Sequence, residues 1–151
     1  MNTDKPILLV CGTPPEEWFD LIAPAAGHVE IRRAGTTEET EAMLGEAEIV
    51  FAWGKGAHWI QEHFAKADKL KWVQTSSAGL ERILFPALIE SPVVLTNGRG
   101  LYASALAEFV MFSVLFFTKN FRRLERNRPE RIWDHFVGRE VRGQTLVIVG
   151  Y

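Results

Sequence analysis

The chain has a single cysteine, Cys11, so no internal disulfide staples it, and a lone thiol ending an apolar run points to burial in a reducing compartment, the cytoplasm. Charge of one sign is also scarce in excess. A formal net charge of -2 and a pI near 6.1 give no global case for nucleic acid or an anionic membrane as partner. Long hydrophobic runs are missing: the most apolar stretch, residues 105–117, contains Glu108 and falls short of the roughly 18–20 residues that cross a bilayer. It reads as a buried helix. The N-terminal MNTDKPILLV has too short an apolar core for a secretory signal. His58 and His63 are five apart, which misses the i,i+4 spacing that puts two ligands on one helical face, so no metal site is expected. His28 and His135 read as surface or capping residues. Ser77 sits in TSSAG, not in a G-x-S-x-G elbow, and no His or acid is placed to complete a triad. Trp53-Gly54 stands where a phosphoacceptor receiver domain would end its third strand in Asp.

What is present is an alternation of short apolar runs and helical patterns. Hydrophobic residues make up 47% of the chain, enough for one sizeable core. PILLVC (6–11) reads as a strand buried on both faces, closed by Gly12-Thr13-Pro14-Pro15. A helix opens at Pro15-Glu16-Glu17, with Thr13 or Pro14 near its cap, and runs to about Ala26. VEIRRA (29–34) is a more exposed strand, and Thr36 or Thr37 caps a second helix through Ala47. EIVFAW (48–53) is a third strand, followed by Gly54-Lys55-Gly56 and a short helix over 58–67. KWVQT (71–75) is a fourth, followed by Ser76-Ser77-Ala78-Gly79 and a helix over 80–90 that Pro86 loosens. VVLT (93–96) is a fifth. This spacing predicts an α/β fold: a flavodoxin-like, doubly wound, parallel five-stranded sheet, followed by a long linker helix and an isolated final strand.

The linker helix is expected from Tyr102 to near Pro129 or Trp133, apolar first and then basic, its basic half a solvated face. TLVIVG (145–150) reads as the final strand, and the chain reads as cut there. Bases are unevenly spread: acids outnumber them twelve to six through Leu70, and they outnumber acids eleven to seven afterwards, so the halves face different surroundings. The five tryptophans fall in separate elements and read as core or interface anchors.

In open parallel sheets the ligand crevice lies beyond the carboxyl ends of the strands, here Gly12–Pro14, Gly54–Gly56, Thr75–Gly79 and Asn97–Gly100. Ser76-Ser77-Ala78-Gly79 is expected to open a helix, so its amides and the helix dipole suit a carboxylate or phosphate. A plain helix cap built from tight-turn residues explains the same composition more simply.

KWVQTSSAGLERIL, VVLTNGRGLYASALAEFV and the pair Trp133 with VRGQTLVIVG resemble, in order and spacing, the D-isomer-specific 2-hydroxyacid dehydrogenase family. The resemblance covers Lys71 onward; the first 70 residues fit by pattern. It implies a substrate-binding domain over 1–100, a linker helix over 101–133 and the start of an NAD(P)-binding Rossmann domain over 134–151. It implies that Ser77, Ala78 and Gly79, in the turn begun by Ser76, cradle the substrate carboxylate, and that Gly54, Lys55 and Gly56 form the opposite wall. Tyr102 and Ser104 approach the substrate or nicotinamide, and Gly150 matches the first glycine of G-x-G-x-x-G. The family's catalytic Arg, Glu and His fall downstream, so no catalytic residue is expected within these 151. The implied parent is an oxidoreductase acting on 2-hydroxy or 2-oxo acids with NAD or NADP, while this chain alone binds no cofactor and is inactive. The alternative is a non-catalytic anion-binding or protein-interaction module. A homodimer is expected, through the apolar helix and final strand.

Overall fold

A computed structural model describes residues 5–149. They divide into two compact units, Met1–Leu101 and Tyr102–Tyr151. The first is built on five parallel strands: β1 (Ile7–Cys11), β2 (Glu30–Ala34), β3 (Ile49–Ala52), β4 (Trp72–Thr75) and β5 (Val94–Thr96). Their order, β2-β1-β3-β4-β5, is the flavodoxin-like order anticipated above. Register aligns Cys11 with Ala52 and Ala52 with Thr75, so the loops leaving β1, β3 and β4 start level with one another.

Helices α1 (Glu16–Ile22), α2 (Thr37–Met43), α3 (Gly56–His63) and α4 (Pro86–Ile89) connect the strands. The first three each run on into a 3₁₀ turn, so the helical spans expected to about Ala26, Ala47 and Ala67 tighten in their last turn. Thr36 caps α2, its side chain accepting from the Glu39 amide, a contact worth roughly 1 kcal/mol. No side chain caps α1; Pro15 holds that position. The core gathers Leu9, Val50 and Val73 from the sheet with Leu44, Ile60, Ile83 and Leu88, all essentially buried. Cys11 belongs to it, and burial pushes its thiol up to about 12 against a weaker opposing hydrogen bond from Thr40. Trp18 and Trp53 lie in separate elements but meet: both rings pack on Phe51, with Trp18 at 4.6 Å from Phe51 and 5.9 Å from Trp53.

Several expectations are corrected. Residues 80–85 form a turn, with Ile83 and Leu84 amides donating to the Leu80 carbonyl, and the helix begins only at Pro86. Proline at the first helical position forces Phe85 into an extended conformation, φ -129° and ψ 156°, which a helix running through it could not accommodate. The long linker helix is two helices, α5 (Ala103–Thr118) and α6 (Phe121–Asn127), bent by 68°. Asn120, left-handed at φ 51°, ends the first, a conformation asparagine tolerates better than most residues. Residues 145–149 form no strand, since a strand needs a hydrogen-bonded neighbour and none of the described residues supplies one.

Nor is α5 buried: none of its residues is, and Leu106, Phe109 and Phe112 are 60–66% exposed. Among the described residues no single helix is long and apolar enough to cross a membrane, although α5 and α6 together pass that test as a bent pair. The basic run is only partly a solvated face. Arg123 grips Asp134 through two hydrogen bonds and lies 4.6 Å from the Phe136 ring, and Lys119 donates to the Arg139 carbonyl at 2.7 Å. Trp133, at 93% exposure, anchors nothing among the described residues.

Candidate functional site

The loops after β1 and β3 close on one another. Trp53 donates its amide to the Cys11 carbonyl at 2.8 Å, and a Cβ on Gly56 would collide with that same carbonyl. Gly12 (φ 117°) is likewise pressed against the Trp53 carbonyl. The three residues predicted to face a ligand therefore differ in kind. Gly56 is buried and serves packing. Gly54, left-handed at φ 53°, has open space around its Cα, and Lys55 is exposed.

After β4 the arrangement is different. The Ser76 amide donates to the Ala52 carbonyl at 3.0 Å, continuing the sheet, and the Ser77 amide reaches Thr75 Oγ1 at 3.3 Å. Beyond them the loop is held by its carbonyls: the Gly98 amide donates to the Ser77 carbonyl at 2.9 Å and Asn97 Nδ2 to the Ala78 carbonyl at 2.6 Å. The amides of Ala78 and Gly79, both exposed, make no hydrogen bond among the described residues. A loop clasped by its acceptors with two consecutive donors left over can bind a small anion such as a carboxylate. Because no helix starts at Gly79, the dipole expected to assist it is absent, and the amides act alone. Ser77 makes no hydrogen bond to a His or an acid among the described residues.

Of the other predicted positions, Tyr102 and Ser104 open α5 in the second unit, Tyr102 half exposed and Ser104 exposed. Gly150 lies outside the described residues. Among the described residues no group of acids, cysteine and histidines could hold a metal; His58 sits 3.2 Å from Glu62 and His63 Nε2 3.1 Å from Thr37 Oγ1. Sequence reasoning placed Asn97 at the crevice but missed that it clasps the loop, and it missed Glu81, whose carboxylate lies against Gly79. The Asn97-Gly98 pair after β5 was a usable signal for the first. Nothing local announced the second.

A flavodoxin-like α/β domain with its open donors at the strands' carboxyl ends is the class this fold defines. Residues 8–145 match the family described as D-isomer specific 2-hydroxyacid dehydrogenase, catalytic domain, and the chain belongs to that family of oxidoreductases. It is 25% identical over 131 residues to a D-3-phosphoglycerate dehydrogenase of Methanocaldococcus jannaschii, covering 85% of this chain and 25% of that protein. Among solved structures it is similar to a D-isomer specific 2-hydroxyacid dehydrogenase family protein of Aeromonas salmonicida, with TM-score 0.76, 25% identity, and coverage of 93% of this chain and 44% of that one. D-lactate dehydrogenase of Aquifex aeolicus, solved with NAD and lactic acid, shares the fold at TM-score 0.68 and 17% identity, over 89% of this chain and 41% of that one. A Xanthobacter autotrophicus family member solved with NADPH and MES does so at TM-score 0.59 and 21% identity, over 89% and 42%. The chain thus spans a quarter of the curated relative and less than half of each of these structures.

Proposed function

We propose that this chain supplies the substrate-binding part of an NAD(P)-dependent oxidoreductase acting on 2-hydroxy or 2-oxo acids, in the cytoplasm. The observation that carries this is the pair of unbonded amides at Ala78 and Gly79 in a loop whose carbonyls are already clasped. They take the substrate carboxylate, with Ser77 setting the turn and Gly54 and Lys55 forming the facing wall of the crevice. Fixing the acid by two backbone donors orients its C2 carbon, which is the part of the reaction that binding geometry can contribute. Hydride chemistry belongs to the nicotinamide cofactor. NAD or NADP is the proposed cofactor of the whole protein, as in the relatives solved with NAD and with NADPH. Tyr102 and Ser104 remain proposed contacts to substrate or nicotinamide in the whole protein.

Titrating the labelled 151-residue chain with D-lactate tests this. Amide resonances of Ala78 and Gly79 shift together, and Gly79→Pro, which deletes a donor, weakens binding about tenfold or more. Unmoved Ala78 and Gly79 signals refute the cradle. The same chain is expected not to reduce 2-oxo acids with NADH or NADPH, and turnover above background would contradict the assignment. We further propose a homodimer that covers the apolar side chains of α5, since Leu106, Phe109 and Phe112 present more apolar surface than a lone chain ordinarily exposes. Light scattering at the dimer mass supports it; a well-behaved monomer counts against it.

A further inference from the structure

Beside the carboxylate cradle, at the carboxyl ends of β3 and β4, lies a recess of about 340 Å³. Lys55, His58 and Gln61 line it from the β3 side, and Glu81 and Arg82 from the β4 loop. Its two cations are among five in the unit, with Lys5, Lys69 and Arg99, that form no ion pair among the described residues, and the two share one recess. Arg32, Arg33, Lys66 and Lys71 each meet a carboxylate at 2.5–2.8 Å. Lys55 and Arg82 meet none among the described residues, although Glu81 lines the same recess and Glu62 is already engaged with His58 and with Thr37. Two unmatched cations in one concavity attract an anion, and each offers charge-assisted hydrogen bonds to it. Arg82 follows Gly79 by three residues, so its backbone lies within about 10 Å of the cradle, the span of a small difunctional acid.

We propose that this recess is a second anion subsite, and that the substrate is a 2-hydroxy or 2-oxo acid bearing a second anionic group, carboxylate or phosphate, at its far end. The proposal rests on the cradle reading: Ala78 and Gly79 take the first carboxylate, Lys55 and Arg82 the second group, with Gln61 as a neutral donor.

The full 151-residue chain, titrated with D-lactate, D-malate and D-3-phosphoglycerate and followed by NMR, tests it. At least one dianion is expected to bind about tenfold more tightly than D-lactate and to shift the Arg82 side-chain signal as well as the Ala78 and Gly79 amides. Whichever of D-malate and D-3-phosphoglycerate is tighter identifies the second group as carboxylate or phosphate. The double variant Lys55→Gln/Arg82→Gln, at exposed positions, brings the ratio of dissociation constants to within about twofold of unity, and Arg82→Lys alone retains most of it. Equal affinities for all three acids, or a ratio that survives the double variant, overturn the subsite and leave the cradle standing. No shift at Ala78 and Gly79 with any acid overturns both.

Discussion

Ile60 in α3, a helix of mixed apolar and polar residues, is fully buried, whereas Leu106, Phe109 and Phe112 in α5, apolar over most of its length, stand 60–66% exposed. The difference lies in what each helix has to lean on. Helix α3 follows a strand of the sheet directly and packs on β1, β3 and α2. Helix α5 belongs to a unit with no sheet among its described residues, where α6 and an irregular segment are all that accompany it. Among the described residues, all the buried apolar side chains lie between Leu9 and Leu88. Hydrophobicity therefore says that a segment needs cover; it does not say that the same chain provides it.

The sharpest way to break this contrast is to truncate one side chain in each helix. Ile60→Ala should cost about 2–5 kcal/mol in urea unfolding, the usual range for a cavity at a filled site, while Phe109→Ala should stay within about 0.5 kcal/mol when measured on dilute monomer. Similar losses would mean that α5 is covered after all. A finer version sits inside the first unit, at two glycines one residue apart. Gly56→Ala drives a methyl into the Cys11 carbonyl and should cost about 1–3 kcal/mol, whereas Gly54→Ala meets open space and loses about 1 kcal/mol from its left-handed backbone. The reverse order of melting temperatures would disprove the packing role given to Gly56. The smallest effect is expected in the second unit. The Arg123 guanidinium, helped by Asn127, holds the Asp134 carboxyl below its ordinary range. A depressed carboxyl stabilises above its unfolded value, near 4, and that support is lost as pH falls through the lower folded value. Amide protection factors over 134–139, taken relative to intrinsic exchange at each pH, should fall on acidification below about pH 4, and Arg123→Gln should remove this dependence.

The sheet was legible because short strand-like runs, apolar in PILLVC and EIVFAW and alternating in VEIRRA, recur between helical patterns and are closed by turn residues. Thr36 as a cap and Cys11 as a buried thiol were visible for similarly local reasons. The failures share a different cause. Helix pattern over 80–90 was outweighed by one residue, Pro86, whose effect on Phe85 moved the helix start by several positions. At Asn120 a single left-handed residue divided what composition joined. The strand pattern of 145–149 was real as a pattern, but pairing is a property of two segments and only one was available to read. In the site, the turn at 76–79 was found while its clasp from Asn97 was not, because a side chain reaching a carbonyl nineteen residues away leaves no trace in spacing.

That clasp has a consequence for how such a site could drift. Asn97 and Gly98 hold the loop by the side that faces away from its free donors, so a substitution there reshapes the aim of Ala78 and Gly79 without entering the ligand's outline. On the proposed reading, affinity is then tuned in small increments from Asn97 and Gly98, while the recognising atoms, being backbone, are removed by no replacement except proline.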